Sequence, residues 1–162
     1  FSTRNESVKA FNSAGIDIVI TIFMFLAGIN FSLYYHLFKG KFREIKENSE
    51  LKAYFFIVLI FTFLIAIFIL PDYKNFAESL RYSAFNVLTI MSTTGFANAD
   101  YTQWAMPAQF LLFILLIIGG CSGSTAGGIK VIRLVILGKK IKKEIKKMIH
   151  LLNKENISLI KI

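Results

Sequence analysis

Two strings of small residues are the parts of this sequence that could hold or gate an ion. The first, Ser92-Thr93-Thr94-Gly95-Phe96, ends an apolar stretch over 82–96 that is speckled with polar residues. Gly95 lets the backbone leave helical angles, so carbonyl oxygens of 92–95 could replace the water around a cation. The negative end of the short helix before them would point at the same place. An ordinary loop has the same composition, so this string alone leaves both interpretations open.

The second string is Gly119-Gly120-Cys121-Ser122-Gly123-Ser124-Thr125-Ala126-Gly127-Gly128, inside an apolar stretch over 105–137. Each glycine destabilises a helix by roughly 1 kcal/mol relative to alanine, so we expect the helix to break here. Close packing of an intact helix through small residues is the alternative. A phosphate loop is disfavoured, because Lys130 is followed by Val131 and no apolar strand precedes the glycines. An unwound segment here could lie across a pore and gate it.

The elements that would position these strings are membrane spans. The chain has 162 residues, 55% apolar and only 18% charged, whereas a soluble domain carries about 25% charged residues. A bilayer span needs about 20 mostly apolar residues. Three stretches meet that length, namely 16–38, 53–70 and 105–137. The stretch 82–96 is only about half a membrane long, which predicts a re-entrant segment. Buried core helices of a soluble protein are the alternative.

The positive charges predict how the spans are oriented. Lysines and arginines cluster over 39–52 and again over 139–147, as in cytoplasmic segments of membrane proteins. Both clusters can share one side only if 82–96 enters and leaves by the same face. The predicted topology has the N-terminus outside, 16–38 inward, 53–70 outward, 82–96 re-entrant and 105–137 inward.

Other features of the sequence exclude several kinds of protein. The net charge is +9, but over 141–152 lysines and apolar residues alternate at helical spacing, which favours lipid headgroups over nucleic acid. One cysteine and two isolated histidines give no disulfide, metal site or catalytic set, so we expect neither an enzyme nor a bound cofactor. Lys130 and Arg133 either act on the glycine string as nearby positive charges or simply reach the membrane surface.

Weak internal symmetry supports a repeated unit. Phe1 and Phe96 each precede a polar stretch, an apolar span and then a glycine among small or polar residues, Gly28 in the first case and Gly120 in the second. Transporters are often built from such repeats. Because the chain opens with Phe1 and holds only one full unit, we expect a piece of a longer polypeptide.

Three strings carry a resemblance to a known family. STTGFANADY at 92–101, GGCSGSTAGGIKVIR at 119–133 and FMFLAGINFSLYY at 23–35 resemble the Trk/Ktr potassium uptake proteins, in particular their TrkH-like pore-forming subunit. The resemblance implies an all-α integral membrane protein in which four span-pore helix-span repeats surround one potassium path. It implies the end of the second repeat over 1–50, the third repeat over 51–138 and a basic cytoplasmic tail over 139–162.

The resemblance also implies roles for residues. Ser92, Thr93, Thr94, Gly95 and Phe96 would form the third selectivity filter, where potassium is the only metal bound. Phe1 would end the second filter, and 119–128 would be the gating loop. A homodimer in the inner membrane, regulated by a cytoplasmic nucleotide-binding ring of the TrkA or KtrA type, is implied as well.

Two other functions stay open on the sequence. One is a tetrameric potassium channel built from the unit 53–137, although the match at Phe1 argues against it. The other is a membrane scaffold or receptor segment, which would have no need for an unwound glycine string.

Overall fold

The computed structural model describes residues 6–73 and 75–160, with side chains described as far as His150. Helices account for nearly all regular structure in those residues, which confirms the prediction of a mainly helical chain. A single bridge between Ile118 and Ile129 is the one β-type pairing in the described ranges. The helices are α1 (Ala14–Ala27), α2 (Phe31–Phe38), α3 (Phe42–Glu47), α4 (Ser49–Ile69), α5 (Phe76–Met91), α6 (Met106–Ile117) and α7 (Val131–Ile160).

α4 is the helix best suited to crossing a membrane. The Asn48 side chain caps it by accepting a hydrogen bond from the Leu51 amide at 2.8 Å. With the following 3₁₀ turn the helical stretch covers 24 residues, about 36 Å, against a hydrocarbon core of ~30 Å. Among the described residues it is the one helix long and apolar enough by itself. α1 and α2 form a second such stretch if the two count as one bent span.

The stretch 16–38, predicted as one span, is present as two helices that meet at an angle of 94°. α1 ends at Ala27, and Asn30 then takes an extended conformation. The Asn30 side chain accepts the Ser32 amide hydrogen at 2.9 Å and so starts α2. An asparagine side chain can replace a missing helical bond in this way, which makes such a corner possible inside an apolar stretch.

α5 lies between the other helices, in contact with α1, α4 and α6. Its buried face carries large apolar side chains, with Phe85 and Met91 fully buried. The buried Ser83 hydroxyl on α5 bonds to its own helix, donating to the Ser79 carbonyl at 2.5 Å. Its 16 residues span about 24 Å, less than the ~30 Å hydrocarbon core.

The backbone leaves the helix between α6 and α7. α6 ends at Ile117, and the chain returns to the same place at Ile129, whose amide donates to the Ile117 carbonyl at 2.9 Å. The Gly119 amide donates in turn to the Ile129 carbonyl at 3.0 Å. Residues 118–130 are therefore a closed loop, named the glycine loop below. α7 then continues as one helix past position 139, where the sequence placed the start of the tail.

A buried chain of polar side chains joins α5, the segment after it and α1. Asn86 Nδ2 donates to Asn98 Oδ1 at 3.0 Å, and Asn98 Nδ2 donates to Asp17 Oδ2 at 3.2 Å. Arg81 Nε lies 3.8 Å from the same carboxylate oxygen. All three hydrogen-bonded side chains are buried, with Asn98 only 4% exposed. These hydrogen bonds between side chains fix the segment that follows Phe96 against α1 and α5.

Replacing Asn98 with alanine should destabilise the protein. The change removes one partner of the buried Asp17 carboxylate, and an unsatisfied buried group costs about 1–3 kcal/mol. We expect the thermal unfolding midpoint of the full-length protein in detergent to fall clearly below that of the parent. Asn75→Ala is the matched control, because Asn75 is exposed and its side chain makes no cap bond. Equal midpoints for the two variants would show that the buried chain contributes nothing.

Candidate functional site

The chain reverses direction directly after α5, in the string predicted to form an ion-binding loop. Ser92 and Thr94 still donate backwards, to the Leu88 and Thr89 carbonyls at 2.8 and 3.0 Å. Thr93 then has φ +55° and Gly95 φ +75°. Positive φ is easily reached by glycine but is strained for a β-branched residue such as threonine. The helix therefore ends in a tight non-helical turn held partly by tertiary contacts.

The carbonyl groups of this turn fall into two classes. The Ser92 carbonyl accepts from Thr93 Oγ1 at 2.7 Å, and the Phe96 carbonyl accepts from Thr89 Oγ1 at 2.9 Å. The carbonyls of the three residues between them, 93–95, accept no hydrogen bond from any described residue. Thr93 and Gly95 are exposed, and Thr94 between them is partly buried. Unpaired carbonyls in a turn are the groups that can replace the hydration shell of a cation.

The hydroxyl groups of the turn are occupied within the protein. Ser92 Oγ donates to the Leu88 carbonyl at 2.6 Å and lies 2.6 Å from Thr94 Oγ1. Thr93 Oγ1, besides its bond to the Ser92 carbonyl, accepts from the Gly127 amide. The side-chain oxygens therefore stabilise the turn.

The N-terminal segment holds the chain just after the turn. The Lys9 amide donates to the Ala97 carbonyl at 3.0 Å, and the Ala97 amide donates to Ser7 Oγ at 3.2 Å. Phe1, predicted to end a second filter loop, lies outside the described residues. Among the described residues, the 3₁₀ turn over Ser7–Phe11 is thus in direct contact with the segment that follows Phe96.

The glycine loop packs on the corner between α1 and α2. The Cys121 amide donates to the Gly28 carbonyl at 2.9 Å, and the Phe31 amide donates to the Gly123 carbonyl at 3.1 Å. Thr125 Oγ1 also donates to the Ala27 carbonyl at 3.2 Å. In lipid every backbone polar group needs a partner inside the protein. The sequence placed the corner between α1 and α2 and the glycine loop at matching positions of a repeat. The backbone groups of each pair with those of the other.

One hydrogen bond joins the two strings that the sequence singled out. The Gly127 amide donates to Thr93 Oγ1 at 3.1 Å. A Cβ atom placed on Gly127 would lie 3.2 Å from Thr93 Cγ2, so the loop and the turn are also in close van der Waals contact. The turn after α5 and the glycine loop therefore form one continuous site.

Removing the Thr93 hydroxyl should loosen this junction. Thr93→Val keeps the shape of the side chain but loses the bonds to Ser92 and Gly127, each worth about 1 kcal/mol. We expect the Gly127 amide to exchange with deuterium about fivefold faster, measured by mass spectrometry on the full-length protein. Thr93→Ser keeps the hydroxyl and should leave the rate close to that of the parent. Equal exchange in the valine and serine variants would show that the hydroxyl does not hold the loop.

Charged residues around the glycine loop include one that the sequence did not suggest. The buried carboxylate of Glu50 accepts from the Ser122 amide at 2.6 Å and from the Ile132 amide at 3.2 Å. Lys130 Nζ donates to the Ala126 carbonyl within the loop, whereas Arg133 is exposed. The available signal for Glu50 was its position, since it is the acidic residue of the segment 39–52 that lies nearest the apolar run 53–70.

The segment after the turn carries one exposed carboxylate. The Thr102 hydroxyl and amide donate to Asp100 Oδ1 at 2.6 and 3.1 Å, and these bonds lower the pKa of the Asp100 carboxyl. The group is therefore ionised at neutral pH. Asn98, two positions earlier, is buried and bonds to Asp17.

Comparison with known proteins agrees with this geometry. Residues 1–161 match the family described as TrkH, cation transport protein. A TrkH potassium uptake protein of Halomonas elongata is 33% identical over 154 residues, which cover 93% of this chain and 32% of that protein. TrkH of Escherichia coli K12 is 30% identical over 155 residues, with the same two shares.

A solved structure shows the same fold. The crystal structure of the potassium transporter TrkH from Vibrio parahaemolyticus superimposes with a TM-score of 0.85 at 28% identity, covering 93% of this chain and 33% of that one. The chain thus spans about a third of the length of the relatives it matches. On the family match over nearly all its residues, this chain belongs to the TrkH family of cation transport proteins.

Proposed function

We propose that this chain contributes one filter and the gate of a potassium pathway through the plasma (inner) membrane. The observation that carries the proposal is the turn after α5, where three successive carbonyls, at 93–95, lack a partner among the described residues. Potassium is larger and more weakly hydrated than sodium, so several carbonyl oxygens can replace its water at modest energetic cost. The C-terminal end of α5 adds a negative dipole at the same point. The relatives named above are potassium uptake proteins.

We propose two different roles for the backbone carbonyls of the filter residues. Carbonyls of Thr93, Thr94 and Gly95 face the ion, whereas those of Ser92 and Phe96 are held by threonine hydroxyls. Phe1, outside the described residues, would end the filter of the preceding repeat. Ser7 and Lys9, a few positions further along, bond to Ala97, which supports the placement of two filter loops around one path.

The glycine loop is proposed as the gate on the cytoplasmic side of this filter. It touches the filter turn through Gly127 and Thr93, and its ends are pinned by the bonds between Ile117, Gly119 and Ile129. A non-helical segment held by a few hydrogen bonds can change conformation at lower cost than a packed helix. Lys130 bonds to the loop itself, which favours an action on the gate over a role at the membrane surface alone.

The membrane arrangement follows from the same proposal. α4 crosses the bilayer outward, α5 re-enters from outside, and α6 with the glycine loop and the start of α7 crosses inward as one broken span. Residues 1–50 end the second repeat, 51–138 form the third, and 139–162 form a basic cytoplasmic tail. The whole protein would then be a multi-pass membrane protein with four such repeats.

Two kinds of partner belong to the proposal. The family resemblance implies a homodimer and a cytoplasmic nucleotide-binding regulator of the TrkA or KtrA type. α7 is exposed at every described position from 136 to 150. Its lysines would lie near anionic lipid headgroups or the regulator, and its exposed apolar side chains, such as Ile141 and Ile145, near the bilayer.

Cysteine accessibility tests the pathway directly. In the full-length protein without other reactive cysteines, Thr94→Cys should react with a charged thiol reagent added outside, and Ser122→Cys with one added inside. Ser122 suits the purpose because it is exposed and its contact to Glu50 uses the backbone. Potassium should slow the reaction at position 94 by occupying the filter. Protection of both positions from both sides would contradict a pore.

A further inference from the structure

A buried carboxylate joins three parts of the molecule that are far apart in sequence. Glu50 lies in the first turn of α4, and its side chain is only 6% exposed. A single oxygen, Oε1, accepts from the Ser122 amide at 2.6 Å and from the Ile132 amide at 3.2 Å. The first belongs to the glycine loop and the second to the first turn of α7.

The environment of Glu50 explains how its charge is tolerated. A buried carboxylate is costly unless hydrogen bonds and charge compensate it. In the described part of the chain no lysine, arginine or histidine forms an ion pair with Glu50. The compensation comes instead from two backbone N–H donors and from the positive end of α7, where a negative charge is stabilised.

A simple helix cap would not need both contacts. The bond to Ile132 alone would cap α7, because the first amides of a helix lack partners. The shorter bond goes to Ser122, which lies ten positions earlier, inside the loop. One side chain thus fastens the loop both to α7, which follows it, and to α4, which begins at Ser49 near the end of the basic segment 39–52.

We propose that Glu50 is the latch of the glycine loop, a positioning residue that holds the loop closed and couples it to α7. The inference rests on the proposed function of that loop as a gate. If the N-terminal end of α7 is displaced, the Ile132 amide moves relative to the Glu50 carboxylate. If the segment 39–52 is displaced, the Glu50 carboxylate moves relative to the Ser122 and Ile132 amides. Either displacement then weakens the bond to Ser122 and frees the loop. A cytoplasmic signal could reach the gate by this route without touching the loop.

The chain contains its own reporter of this event. Cys121, next to Ser122, is a free cysteine whose side chain is fully buried in the described structure. In the full-length protein with other cysteines replaced, Glu50→Ala should raise the rate of Cys121 modification by at least about tenfold, because it removes charge-assisted bonds. Glu50→Gln keeps an acceptor oxygen without the charge, and we expect an increase of about threefold. Potassium flux into proteoliposomes should rise in the same order.

Glu47→Ala is the matched control. Glu47 is acidic, lies three positions away and pairs with Arg43 on the surface, where such pairs contribute little. It should leave both Cys121 modification and flux unchanged. A Glu50→Ala protein that is monodisperse and modified at the parental rate would overturn the latch. If the alanine variant does not fold, a parental rate in Glu50→Gln would overturn it equally.

A shortened loop separates the latch from the gate. Deleting 122–125 should raise flux if the loop obstructs the path, whatever Glu50 does. Parental flux in that deletion would refute the gate. Cys121 modification in the Glu50 variants, which keep the whole loop, would still report whether Glu50 holds the loop. Raised flux in the deletion, with parental flux and modification in Glu50→Ala, would refute the latch and leave the gate standing.

Discussion

Gly95→Ser in the full-length protein is expected to lower the preference for potassium over sodium by about tenfold. Gly95 has φ +75°, a conformation that costs an ordinary L-residue roughly 1–2 kcal/mol. The serine variant relieves this strain by rotating the peptide groups on either side. Those groups carry the Thr94 and Gly95 carbonyls, so the spacing of the oxygens around the ion changes. The measurement is potassium and sodium flux into proteoliposomes, or growth at limiting potassium in a strain without other uptake systems.

The cause of this effect can be separated from side-chain size. A Cβ atom built on Gly95 has no heavy atom within 4 Å, so there is room for a side chain and only the backbone angle opposes it. Gly95→Ala should therefore lose as much selectivity as Gly95→Ser, and Gly95→Asn less, because asparagine tolerates positive φ better. Gly138→Ser, in the open first part of α7, is the control. Unchanged selectivity in all three Gly95 variants would exclude Gly95 from the filter.

Features that depend on local sequence were predictable. The charge-free run 53–70 predicted α4, and the glycines over 119–128 predicted the interruption between α6 and α7. The end of α5 at Met91 agrees with the hydroxyl residues and glycine that follow it. Each of these follows from propensity or apolar length, which act over a few neighbouring residues.

Features that depend on distant contacts were not predictable. The corner at Asn30 is stabilised by the Gly123 carbonyl, which accepts the Phe31 amide from more than 90 positions away. Glu50 finds its partners 72 and 82 positions along the chain. Local patterns thus locate the interruptions, whereas the pairing between them is a tertiary property.

Membership of this family also bears on how the buried polar groups are interpreted. The chain belongs to a family of cation transport proteins, which are not enzymes. The buried side chains of Asp17, Asn86 and Asn98 bond to one another and hold the segment after the turn against α1 and α5. These residues support the turn, and this structural role explains why they are buried without any catalytic role.

Gly119→Ala is expected to prevent the glycine loop from closing. A Cβ atom at this position would overlap the Gly127 carbonyl, and the carbonyl belongs to backbone that cannot rotate away as a side chain would. Overpacking of this kind costs about 1–3 kcal/mol. The strain is relieved if the pairing of Gly119 with Ile129 opens, and this moves the loop away from Thr93. We therefore expect potassium flux about tenfold above that of the parent, together with rapid modification of Cys121.

The matched control for this change is Gly138→Ala. Gly138 lies in α7 with nothing within 4 Å of a built Cβ, so alanine should improve helix propensity by about 1 kcal/mol and leave flux unchanged. The strain in Gly119→Ala arises between positions 119 and 127, at the two ends of one loop. It should therefore disappear when 122–125 are deleted and the loop can no longer pack. The double change should then conduct no better than the deletion alone. Additive increases would place the effect of Gly119 outside the loop and contradict its role in closure.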